Sequence, residues 1–247
     1  MKILFSPSET KNDGGDLPPI DAAHTLFPEM FDKRVYVMQM YMDYLKEKDT
    51  PTIQKLFGIK KESDLKRNLS IDLFNDPTMK AIERYTGVAY DYLDYPSLPK
   101  EQQDFLDKNL LLFSNLLGPL LAKDHIHYYK LKQGEKIGDF APEKYYQQHF
   151  TPLLDDFLKE EFIIDLRAGF YLKFYKLKQP YVTMKFIKNG KVVSHWAKAY
   201  RGKVVRTLAK HQPQNEQMFQ EISFEGLSVV EIQKSKLKTE YIFEITS

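Results

Sequence analysis

Residues 166–215 read LRAGFYLKFYKLKQPYVTMKFIKNGKVVSHWAKAYRGKVVRTLAKHQPQN, fifty positions with twelve Lys/Arg and no Asp or Glu. The whole chain has 36 basic and 34 acidic residues, so 24 basic residues face all 34 acids elsewhere. A formal charge of +12 in this tract therefore stands against −10 in the rest, behind a net charge of only +2. Such asymmetry creates a local positive potential that attracts a polyanion whatever the global sum. The tract also has a pattern. Tyr181–Lys188 alternates and is rich in β-formers, Asn189-Gly190 suits a type I′ turn, and Lys191–His195 returns as a second strand. Ala197–His211 then reads as a helix. At about 100° per residue, Ala197, Tyr200, Val204 and Leu208 form an apolar stripe, with Lys203, Arg206 and Lys210 opposite. Arg201 falls at the edge of that stripe, where a guanidinium needs either an internal ion pair or an anionic ligand in a cleft. Gly202 beside it leaves bare backbone for something to approach.

At 247 residues the chain can bury one large core or two small ones. Aromatic content is high, with 17 Phe and 16 Tyr. There are no cysteines, which excludes disulfides, thiolate metal sites and Cys nucleophiles and fits a reducing cytoplasm. The N-terminal apolar run ends at Ser6-Pro7, too short for a signal peptide, and no window is long enough to span a membrane.

Lys2–Phe5 reads as a buried strand, and the loop after it offers Ser6, Thr10 and Lys11 as a cleft or anion-binding set. Pro28 opens a helix to about Lys48. Leu56-Phe57-Gly58-Ile59 joins two short helices through a glycine turn, the pattern of a helix-hairpin-helix. There, backbone N–H groups at Gly58 and Ile59 and the second helix's N-terminus would face a phosphate, with Lys60 and Lys61 adding charge. Tyr85–Tyr95 carries Gly87 and four tyrosines, rings that pack or stack on bases. Asp104–Leu117 reads as an apolar helix ending near Gly118-Pro119. His125 and His127 share one face of a strand, but a metal needs a third ligand and none is evident. Glu143–Lys159 reads as a helix, Phe162–Leu166 as a short strand, and Val229–Gln233 with Tyr241–Ile245 as a closing hairpin. Strands at both ends with helices between them suggest an α+β domain, a single compact unit in which residues 50–70 could form an appendage.

Several segments, in order and spacing, resemble the YaaA-like family of bacterial peroxide-stress proteins. They are Ser6-Pro7 and Thr10; Leu56–Ile59; Gly87 and Tyr90; Ser114, Leu116, Gly118, Asp124, Tyr129, Leu131 and Gly134; Leu166, Tyr171 and Lys173; Ala197, Lys198, Arg201, Gly202 and Arg206; and Glu225-Gly226. The chain is a divergent member: Glu9, Leu117 and Leu121 stand where a lysine, a tyrosine and an arginine are usual. The resemblance implies a compact α/β-type fold with a basic cleft and a helix-hairpin-helix, binding to duplex or distorted DNA, and a role in limiting peroxide damage. On that basis Lys173, Lys198, Arg201, Gly202 and Arg206 are expected to meet backbone phosphates and Gly58–Lys61 to dock a second stretch. The rival expectation is a binder or enzyme for a small nucleotide-like anion in the same cleft. No Ser/His/Asp order, GxxxxGK loop or paired carboxylate motif marks a catalytic centre. No metal or cofactor is expected, and the chain is expected to be a cytoplasmic monomer without a membrane partner.

Overall fold

Strand β1 (Lys2–Phe5) is the axis of the molecule, because Ile3, Leu4 and Phe5 are apolar on both faces and are buried on both. The computed structural model describes residues 1–246. After β1 come the helices α1 (Phe31–Glu47), α2 (Thr50–Phe57) and α3 (Glu62–Leu69), then β2 (Met79–Lys80), α4 (Ala81–Arg84), α5 (Val88–Leu93) and α6 (Lys100–Asn109). The middle of the chain forms β3 (Leu110–Ser114), β4 (Gly118–Leu121), β5 (His125–Ile126), α7 (Pro142–Phe157) and β6 (Ile163–Asp165). Last come β7 (Tyr181–Lys188), β8 (Lys191–Val192), α8 (His195–His211), α9 (Glu216–Gln220), β9 (Leu227–Lys234) and β10 (Lys238–Ile245).

The main sheet runs β4-β3-β1-β6-β7-β10-β9, with β8 on the edge of β7. Strands β3, β1, β6, β7 and β10 are parallel, while β4, β8 and β9 are antiparallel additions. The two terminal strands share the sheet of a compact mixed α/β domain, as expected, and its centre is parallel, which the α+β label did not anticipate. Covered parallel strands read as unbroken apolar runs, which explains one misreading. Leu110–Ser114, expected inside a helix, is β3, fully buried and in register with β1 through Ile3–Leu110, Leu4–Leu111 and Phe5–Leu112. The helix before it stops at Asn109. An apolar run has no period by which helix and strand can be told apart.

The carboxyl ends of β1 and β6 lie side by side. From β1 the chain crosses to β3 on one flank and later to β6 on the other, so the strand order switches at β1. In open parallel sheets that switch leaves a crevice at the carboxyl ends. The segment 50–70 packs Ile53, Leu56, Phe57 and Leu65 into the same hydrophobic cluster as the sheet. No helix among the described residues is long and apolar enough to cross a membrane.

Candidate functional site

At the carboxyl ends of β1 and β6 the loops are tied together by hydrogen bonds between residues far apart in the chain. Ser6 Oγ accepts the Ala168 N–H at 2.7 Å, and Tyr90 donates its hydroxyl to the Ser6 carbonyl at 3.0 Å. Thr10 donates to the Thr86 carbonyl at 2.9 Å and lies 3.1 Å from Ser8 Oγ. Gly87 (φ 101°) lets the two loops touch, since a Cβ there would sit 3.0 Å from Thr10 Oγ1. Lys11 donates to the Ser8 carbonyl at 3.2 Å, and its Nζ stands 4.0 Å from the Tyr129 ring centre and 5.1 Å from that of Tyr85. Below the ammonium runs a hydroxyl chain, Tyr85 to Tyr129 at 2.9 Å and Tyr129 to Ser114 at 2.8 Å. Burial and then the nearby Lys130 push the Lys11 amine down to about 7, against the pull of Glu9. Ser6 is thus held against Ala168 and Tyr90, Thr10 against Thr86, and Lys11 against Tyr85 and Tyr129. The tyrosine chain escaped sequence reading because its members are 15 and 44 residues apart in the sequence and only the fold joins them.

A concavity lies where β7 is left uncovered. Its free edge pairs with β6 at Val182–Thr183 and with β8 at Ile187–Lys188, leaving a gap between. A slot of about 360 Å³ opens there, lined among others by Asp165, Leu172, Thr183, Lys185, Phe186 and Arg201. Asp165 is already held by Arg167, through Nε at 2.9 Å and Nη2 at 2.8 Å. Arg201 therefore forms no ion pair among the described residues, and its buried Nε has no hydrogen-bond partner. Burial pushes its pKa down while the Asp165 charge opposes that.

Other expected site residues are placed differently. Ala197, Tyr200, Val204 and Leu208 are buried as the helical spacing required. What approaches the bare backbone of Gly202 is helix α5: a Cβ would meet the Ala89 carbonyl oxygen at 2.0 Å. Arg206, expected on a solvated face, donates to the carbonyls of Leu93 (2.9 Å) and Asp94 (3.0 Å) and to Ser97 Oγ (2.9 Å). It caps the carboxyl end of α5, where a cation suits the helix dipole. Lys198 and Lys173 are exposed, the latter 5.2 Å from the Phe170 ring centre.

The glycine turn between α2 and α3 is present, with Gly58 left-handed at φ 67°. Its amides are already engaged. Gly58 N–H bonds Lys55 O and Ile59 N–H bonds Gln54 O, both at 3.1 Å, which is a Schellman cap. These two donors satisfy the end of α2, so they are not open to a phosphate as expected. Gly58 also lies against Lys132, whose Cδ would be 2.8 Å from a Cβ there. Lys60 and Lys61 remain exposed.

His125 stacks on His24 with ring centres 4.4 Å apart, and His127 is fully buried with neither ring nitrogen hydrogen-bonded. No group of three or more His, Asp or Glu among the described residues is placed to hold a metal.

Taken together these features define a mixed α/β protein with an aromatic-caged lysine at the sheet's switch point and an acid-free basic segment beside it. The family model described as "Peroxide stress protein YaaA" matches residues 1–233, and the chain belongs to that family. It is 45% identical to an uncharacterized protein of Campylobacter jejuni over 99% of both chains. It is 32% identical to a UPF0246 protein of Corynebacterium glutamicum over 85% of both chains. A UPF0246 protein of Streptomyces coelicolor is 27% identical over 84% of this chain and 82% of its own.

Proposed function

We propose that this protein binds duplex or distorted DNA through its sugar–phosphate backbone and acts in protection against peroxide stress. One observation carries the binding reading. Lys173, Lys176, Lys185, Lys191, Lys198, Lys203 and Lys210, all in the acid-free tract, form no ion pair among the described residues. Among the described residues, Arg167, Lys178 and Arg206 of that tract are matched by carboxylates, those of Asp165, Asp155 and Asp94. Cations without carboxylate partners are available to phosphate, and phosphate contacts position a protein without reading sequence. Of the tract residues expected to meet phosphate, Lys173, Lys198 and Arg201 keep this role, with Lys60 and Lys61 as a second contact. Arg206, Gly202, Gly58 and Ile59 shape and hold the surface. Log affinity for a duplex should fall with log salt at about −0.9 per phosphate neutralised. A flat salt response rejects the reading.

The slot gives a second reading its own support. A buried, unpartnered guanidinium nitrogen at Arg201 suits a small phosphate or carboxylate. Nucleotides or inorganic phosphate that raise the melting temperature of the protein, but not of an Arg201→Met variant, favour a small-anion site.

A further inference from the structure

The tract holds the only tryptophan of the chain, and it is not in the core. Trp196 is 45% exposed at the start of α8, with Lys188 Nζ 4.8 Å from its ring centre. Seven residues on, along the same stripe, Lys203 stands 5.7 Å from the ring centre of Tyr92 and 5.3 Å from that of Tyr200. Tyr92, on the neighbouring α5, is 43% exposed. Tyr200, between Trp196 and Lys203, is buried and stacked on Phe186 at 6.0 Å, so it anchors the row. Two exposed rings, each with an ammonium over it, therefore frame one face of a helix that carries no acidic residue. Seven residues at ~1.5 Å rise span about 10 Å, or about three base steps of ~3.4 Å. The acids near the platform are Asp91, exposed beside Tyr92 on α5, Glu225, which shares the hollow lined by Tyr92 and Lys203, Asp94, which is paired with Arg206, and Glu244, which accepts the Asn189 N–H next to Lys188.

A cation on an exposed ring is often only packing. Two such pairs, one on the acid-free helix α8 and one bridging from it to Tyr92 on α5, are more than packing needs, because an exposed indole is costly to keep in water. A base offers its flat face to such a ring only when it is unpaired, and lysines beside the ring then meet the flanking phosphates.

We infer that Trp196 and Tyr92, with Lys188 and Lys203, form a stacking platform for the unpaired bases of a single-stranded or bulged DNA segment. This rests on the DNA-binding reading and adds to it a preference for unpaired bases at a named surface.

The single tryptophan is its own reporter. Full-length protein is titrated with oligothymidylate, with a matched duplex and with the same duplex carrying a three-base bulge. Indole fluorescence and bound fraction are followed separately. Oligothymidylate and the bulge should quench the indole strongly and the duplex weakly. Trp196→Ala should weaken oligothymidylate binding by about 5- to 100-fold and duplex binding by less than about twofold, with Trp196→Phe restoring most of the loss. Tyr92→Ser should act in the same direction, and unchanged melting temperatures certify both folds. If all three DNAs bind with equal affinity and leave the indole unchanged, the platform is refuted while DNA binding stands. If none binds, the DNA reading falls and the platform with it. Quenching by polyglutamate as strong as by oligothymidylate also overturns the inference, since the face would then be a general polyanion surface.

Discussion

At Gly202 a single missing carbon decides how two helices meet. The Ala89 carbonyl oxygen occupies the space of a side chain, and a main-chain oxygen cannot swing aside. Gly202→Ala should therefore destabilise the protein by about 1–3 kcal/mol, at the upper end of overpacking costs, as read by denaturant unfolding. Lys11 gives a test by pH. Its native pKa is about 7 because burial disfavours the ammonium, whereas an unfolded lysine titrates near ~10.4. Between those values the native state sheds a proton that the unfolded state keeps, so stability should rise with pH across that window. Lys11→Met should remove that rise, and reductive methylation at neutral pH should label Lys11 ahead of the exposed lysines. His127 works on the acid side. Burial pushes it down to about 4, with Arg84 adding to the effect and Asp76 and Asp72 opposing it. From about pH 6.5 down to 4 the unfolded chain takes up a proton that the native chain refuses, and stability falls. His127→Leu should flatten that part of the stability–pH curve, and an unchanged curve would show that other groups set it.

At the scale of elements, local signals were sufficient for some and not for others. The hairpin of β7 and β8 and helix α8 came out of alternation, Asn189-Gly190 and a helical stripe, since each is decided within a few residues. Gly58 was legible as a turn, yet its purpose was not, because the partners Gln54 and Lys55 and the packing of Lys132 are contacts of the folded chain. Gly58→Ala should cost about 1–2 kcal/mol through its left-handed backbone. A joint Lys60→Ala, Lys61→Ala change should leave stability within about 0.5 kcal/mol and lower DNA affinity if this turn docks. Arg206 belongs to the same class. Its Nη1 reaches three oxygens at the end of α5, so Arg206→Lys should cost about 1 kcal/mol, with no change in the salt slope of DNA binding.

Over the whole molecule, charge and topology part company. The segregation of +12 from −10 was countable in the sequence, and seven of the tract's lysines, Lys188 not among them, form no ion pair among the described residues. Replacing Lys191 and Lys198 with Glu should make the salt slope shallower by about 0.9 for each phosphate that is no longer neutralised. The same reversal at Lys46 and Lys66, outside the tract, should leave the slope unchanged. What the sequence by itself determined was local: periodic elements, turn chemistry and the placement of charge along the chain. Only the tertiary structure decided that Leu110–Ser114 is a strand, that Gly202 faces α5, that Arg206 is consumed by a helix end, and that Lys11 sits against tyrosines from two distant loops. The physical reason is that each depends on which surfaces share a buried space. An apolar run, a glycine or an arginine carries no signal along the chain of the partner that folding brings to it.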